Sequence, residues 1–121
     1  MKKEGKNKNN SSKFTKLQPP KIKILGVGGG GSSIVEEISK IIKRERPPFL
    51  SKIEFIAANV DLQAINSLKR NLKTIYFGEE VTFGLGCGMN VNLGREAALK
   101  SKEKFEKEFK KTDFCILISS L

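Results

Sequence analysis

Polar and apolar positions change their pattern abruptly near residue 21. Upstream, Lys, Asn and Ser dominate and the stretch ends in Pro19-Pro20. Downstream, Ile22, Ile24, Leu25 and Val27 form a short apolar run closing on glycine, the signature of a buried strand. From Ser32 the apolar residues fall at Ile34, Val35, Ile38, Ile41 and Ile42, one face of a helix that must stop before Pro47-Pro48. Ile53 to Asn59 predicts a second strand. Asp61 is placed to cap a short helix carrying Leu62, Ile65 and Leu68. Leu72 to Phe77 reads as a third strand, and residues 78–92 as a glycine-rich loop. Leu93, Ala97, Ser101, Phe105 and Phe109, each four apart, mark the buried stripe of a helix from about Leu93 to Lys111. Phe114 to Ile118 is a fourth strand. The order β-α-β-α-β-α-β predicts an α/β, Rossmann-like three-layer fold, with a parallel sheet of about four strands and helices on both faces. There is no internal repeat.

Composition divides the chain in two. Residues 1–20 cannot bury enough apolar surface to offset the entropy of ordering and are expected to be a disordered basic tail; residues 21–121 are the folded part. Of the net charge of +10, half lies in the tail, where Lys2, Lys3, Lys6, Lys8, Lys13 and Lys16 oppose Glu4. Tyr76 is the single tyrosine and most of the eight Phe sit on apolar faces, so stacking platforms for nucleic acid are lacking. The longest strongly apolar stretch, Phe114–Ile118, is far too short to span a bilayer. No apolar signal-peptide core follows the basic start, which points to the cytoplasm and leaves an organelle-targeting peptide open. Histidine is absent. The two cysteines, Cys87 in a loop and Cys115 in a strand expected to be buried, have no metal-like spacing and read as free thiols.

Candidate chemistry lies in two segments, both after strands. Gly26-Val27-Gly28-Gly29-Gly30-Gly31-Ser32-Ser33 links the first strand to the first helix. Glycines let backbone approach a ligand closely, and the following helix aims free N–H groups and its positive dipole end at the loop, an arrangement suited to phosphate. Gly26, Gly28 and Gly31 also satisfy the dinucleotide fingerprint G-x-G-x-x-G. The acid that fingerprint needs about 20 positions on is missing, because Asp61 lies too far along. No Gly-Lys-Ser/Thr follows, so a Walker loop is excluded. The second segment, Gly84-Leu85-Gly86-Cys87-Gly88-Met89-Asn90, offers another set of N–H groups for the far end of a polyphosphate.

Taken together, KIKILGVGGGGSSIVEEI, FIAANVDLQAI, GLGCGMNVNLGREAA and TDFCILIS resemble the N-terminal domain of the FtsZ family of tubulin-like cell-division GTPases, over residues 21–118. The resemblance implies that Gly29, Gly30, Gly31, Ser32 and Ser33 belong to a first phosphate loop. It places Asn59 and Asp61 in a turn near the phosphates, and Cys87, Gly88, Met89 and Asn90 around the γ-phosphate. It implies GTP or GDP as ligand, with Mg2+ arriving through the phosphates. As partners it implies other copies or full-length FtsZ in head-to-tail filaments of the division ring. Ser33 replaces the family's usual Asn, Val60 its Thr and Val91 its Pro, while Met89 stands at a position that is normally small. The family's third glycine loop, guanine clamp and water-activating acidic loop have no counterpart in this sequence, so the chain alone is expected not to hydrolyse GTP and to carry no catalytic residue. A capping module for filaments of a full-length relative, or a small dinucleotide-binding domain, are the alternatives.

Overall fold

A computed structural model describes residues 19–48, 52–69 and 72–120. The expected disordered tail lies outside the described residues except for Pro19 and Pro20. The elements are β1 (Ile22–Val27), α1 (Gly28–Glu45), β2 (Glu54–Asn59), α2 (Leu62–Leu68), β3 (Lys73–Tyr76), α3 (Glu79–Thr82), α4 (Val91–Lys100), α5 (Lys102–Phe109) and β4 (Phe114–Ser119). The four strands make one sheet in the order β3-β2-β1-β4, every pairing parallel.

Alternation along the strands builds a core on each face. Leu25, Ile56, Ala58 and Ile75 pack with Ala97 of α4, Phe77 and the half-buried Phe105 and Phe109 of α5. Ile24 and Ala57 point the other way, against Val35 of α1, Leu72 and Leu68 of α2. The sheet is therefore the middle of three layers, as the pattern predicts. Phe77 and Phe105 meet edge-to-face, with ring centroids 5.2 Å apart.

Five local readings need correcting. α1 starts at Gly28, before Ser32, because its first turn lies so close to β1 and β4 that only glycine fits there. A Cβ on Gly26 would strike the Gly31 carbonyl, and one on Gly31 would strike the Ile118 carbonyl. For the same reason the stripe buried along α1 is Gly31, Ser32, Val35 and Ser39. Ile34 and Ile41, expected inside, are exposed. The helix expected as one piece from Leu93 to Lys111 is two, α4 and α5, broken at Ser101. The predicted stripe still faces inward, and the Ser101 hydroxyl accepts the Gly78 N–H at 2.9 Å. α3 lies within the predicted loop. Finally, Cys115 is in a strand but exposed, since β4 is an edge of the described sheet.

At the amino ends of the strands, α5 is fastened to the sheet by alternating charges. Lys23 meets Glu108 at 2.8 Å and Glu54 at 3.3 Å, and Lys73 meets Glu108 at 2.9 Å and Glu54 at 3.1 Å. Burial pushes the Glu108 carboxyl up, but hydrogen bonds from Lys23 and Lys73 outweigh it and hold the group below the ordinary range. Ligand chemistry in sheets of this kind collects at the opposite, carboxyl ends.

Candidate functional site

At the carboxyl end of β1 the chain turns through Gly28, at φ +77°, directly into α1. Val27 occupies the capping position without a side-chain hydrogen bond, and no acidic residue stands in the first turn. Of the other helices at this end, the four-residue α3 starts at Gly78 without a side-chain cap, and the remaining two are closed. Asp61 Oδ1 accepts from the N–H groups of Gln63 at 2.9 Å and Ala64 at 3.3 Å, capping α2 as predicted. Asn90 Oδ1 accepts the Leu93 N–H at 3.2 Å and caps α4. α1 thus presents the positive end of an eighteen-residue helix with its first N–H groups open.

The glycines of this turn differ in duty. A Cβ on Gly28 or Gly29 would meet nothing within 4 Å, so their backbone faces open space. Gly30 packs against the Ser120 side chain and Gly31 against β4. Ser32 is only 2% exposed, and its hydroxyl has no hydrogen-bond partner among the described residues. Ser33 donates its hydroxyl to the Gly29 carbonyl at 3.0 Å. Asn59, buried at the end of β2, accepts the Asp61 N–H on its Oδ1 at 3.1 Å.

Gly29, Ser32, Ser33 and Asn59 line a common hollow of about 460 Å³. Its other wall, which sequence reasoning missed, is Glu36, one turn along α1, with Ala64, Ser67 and Leu68 of α2. The signal was there in helical spacing: Glu36 follows Ser32 by four, and Ser67 follows Ala64 by three. Glu36 brings a carboxylate to the hollow, at 3.5 Å from the Lys40 ammonium.

The second glycine segment reaches the same end of the sheet but stands beside this hollow and does not line it. Leu62 N–H donates to the Gly84 carbonyl at 3.0 Å, and Asp61 pairs with Leu85, which hooks the segment to the Asp61 turn. Cys87 to Asn90 then forms a tight turn, with Asn90 N–H donating to the Cys87 carbonyl at 2.9 Å. Gly88 at φ +55° and Met89 at φ +62° are its central residues, the pattern of a type I′ turn. The N–H groups of Gly88 and Met89 have no partner among the described residues. The Cys87 side chain faces inward against the core, where burial pushes its thiol up. Met89 is 99% exposed, and Phe83, Leu85 and Val91 are exposed beside it.

The Tubulin/FtsZ family, GTPase domain, matches residues 21–121. Two relatives, each called cell division protein FtsZ, are those of Aquifex aeolicus, 36% identical over 105 residues, and Pseudomonas putida, 35% identical over 105 residues. The matches take in 87% and 86% of this chain but 26% and 24% of those proteins, so the chain spans about a quarter of their length. Among solved structures, an empty FtsZ dimer from M. jannaschii aligns over 95% of this chain and 31% of its own, with a TM-score of 0.72 and 26% identity. CetZ2 of Haloferax volcanii, in a GTPγS-bound protofilament, shares the fold at TM-score 0.70 and 15% identity over 82% of this chain and 30% of its own.

Proposed function

This chain belongs to the Tubulin/FtsZ family and falls in its GTPase domain, and from there we propose that the hollow at the start of α1 receives the phosphates of a guanine nucleotide. One observation carries the reading: the Ser32 hydroxyl is buried without a partner beside the only long helix among the described residues whose first turn is uncapped. A buried orphan hydroxyl costs about 1–3 kcal/mol, and an anion at the helix start would take its hydrogen bond together with those of the open N–H groups. Asn59 and the Gly28-Gly29 backbone complete the polar wall. Gly88 and Met89 reach a phosphate from the neighbouring turn only if that turn moves inward on binding. Magnesium would enter on the phosphates, where the ion's remaining ligands are oxygens of nucleotide and water.

Hydrolysis is a separate matter. Glu36 is the one ionisable side chain lining the hollow, and a carboxylate there opposes phosphate charge. No other described residue lining the hollow carries a charge to position a water or stabilise a transferring phosphoryl group. On this reading the hollow serves binding. The dinucleotide alternative is disfavoured, since Asp61 lies past the end of β2, where its Oδ1 caps α2.

A second reading concerns partners. Phe83, Leu85, Met89 and Val91 make an exposed apolar loop at the nucleotide end, which suits a subunit contact in a filament or a cap on filaments of a longer relative. Sedimentation with full-length FtsZ checks it: unchanged polymer mass and length would remove this role.

The test of the nucleotide reading is Ser32→Ala. Removing an unpartnered hydroxyl should raise the unfolding free energy of the ligand-free chain by about 1 kcal/mol, while shrinking the rise in melting temperature produced by GTP or GDP. A variant that melts lower without ligand, or keeps its full nucleotide response, would overturn it.

A further inference from the structure

A larger hollow, of about 580 Å³, lies at the other end of the sheet, about 20 Å from the nucleotide end for strands of six residues. Six lysines and two glutamates line it, a surplus of four positive charges. Both glutamates, Glu54 and Glu108, are already neutralised by Lys23 and Lys73. The Asp113 carboxylate, at the same end, accepts the Lys21 backbone N–H at 2.8 Å. The ammonium groups of Lys21, Lys52, Lys107, Lys110 and Lys111 carry no ion pair among the described residues. Like charges held this close repel one another, and an anionic partner relieves that repulsion.

We propose that this lysine-lined hollow docks an extended acidic peptide segment of a partner protein. The shape of the surface selects among polyanions. Pro19, Pro20 and Ile22 line this hollow and also a second one of about 360 Å³ beside it, walled by Pro48 and Ile53. A hollow whose lining mixes apolar residues with lysines fits a chain whose carboxylates alternate with apolar side chains. Every cation in the hollow is lysine, without the arginine forks that grip phosphates in pairs, and no aromatic ring lines it for a base to stack on. The surface is recessed, so it does not present apolar residues outward to a bilayer. By sequence the segment before Pro19 holds six further lysines against one glutamate, so the chain's positive surplus is not confined to the hollow.

The experiment uses the full chain and a short fluorescein-labelled peptide in which Glu and Asp alternate with Leu, read by anisotropy. Lys52→Glu, Lys110→Glu and Lys111→Glu together should weaken binding by about tenfold or more. The same charge change placed elsewhere, Lys69→Glu, Lys100→Glu and Lys102→Glu, should alter it by less than about twofold. Lys→Gln versions at the first three positions give the same order at smaller amplitude if the reversals disturb the fold, which circular dichroism reports. Equal losses from the two sets would overturn the proposal. So would tighter binding of oligothymidylate or of phosphatidylglycerol vesicles than of the peptide.

Discussion

Gly31 and Gly88 belong to two glycine-rich segments at one end of the sheet, yet a methyl group added to each would meet different obstacles. At Gly31 the backbone angles are ordinary and the space is filled, because the Ile118 carbonyl already occupies the place of a Cβ. At Gly88 nothing lies within 4 Å, and the obstacle is the left-handed backbone, φ +55°. The first segment is rich in glycine so that α1 can lie against β1 and β4. The second is rich in glycine so that the chain can reverse tightly after α3. The comparison separates two demands that composition merges, closeness and curvature. It also marks Gly29, whose face is open and whose backbone is ordinary, as the glycine left for a ligand.

The largest expected effect is on closeness. Gly31→Ala should lower the unfolding free energy by about 3 kcal/mol, read from urea denaturation, and a near-neutral result would mean that α1 stands off from β4. Curvature is next. Met89 holds an angle, φ +62°, that costs a side-chain-bearing residue about 1 kcal/mol, so Met89→Gly should stabilise the chain by about that much. Its full exposure leaves no packing to lose. A destabilised Met89→Gly would show that the turn is not left-handed in solution. Smaller still is Gly29→Ala, which should leave the ligand-free fold within about 0.5 kcal/mol while weakening nucleotide binding in a titration, since the new methyl faces the hollow. Equal affinity would place the phosphates elsewhere.

The smallest effect is titratable, and it again separates the segments. The second is tethered through Glu79, whose carboxylate takes the Lys104 ammonium at 2.7 Å; that hydrogen bond first, then a backbone N–H, hold the group below its ordinary value of 4.5. A depressed folded value means that this stabilisation is complete above the ordinary value and is lost as pH falls through the lowered one. The hydrogen-exchange protection factors of residues 83–90, which divide out the intrinsic slowing of exchange in acid, should therefore fall below pH 4.5 before those in the middle of α1 do. A simultaneous fall would indicate global unfolding and erase the distinction.

Much of this fold was legible because its cause is local. Each strand was found from an apolar run closed by glycine or a polar residue, and the α2 cap from Asp61 alone. The capping duty of Asn90 went unread, although the residue itself was marked for the site. What escaped was set by distant partners. The break at Ser101 accompanies a hydrogen bond from Gly78, 23 residues away. The exposure of Cys115 depends on β4 pairing outside β1, which spacing cannot reveal. Hydrophobicity alone puts Ile34 and Ile41 on the buried face, whereas proximity to the sheet demands Gly31, Ser32 and Ser39 there. At the site, Gly29, Ser32 and Ser33 share a hollow with Asn59, while the second loop's side chains turn either into the core, as at Cys87, or out to water, as at Met89.

Helix α5 is short, about 12 Å for its eight residues, and it is bolted at both extremities. Lys104, near its start, holds the Tyr76 carbonyl at 2.9 Å as well as Glu79, and Glu108, near its finish, grips Lys23 and Lys73. It acts as a crossbar between the sheet's two rims. A load hung on the lysines just past its far bolt pulls on the same bar that steadies the glycine turn at the near one, so the two rims share one mechanical member.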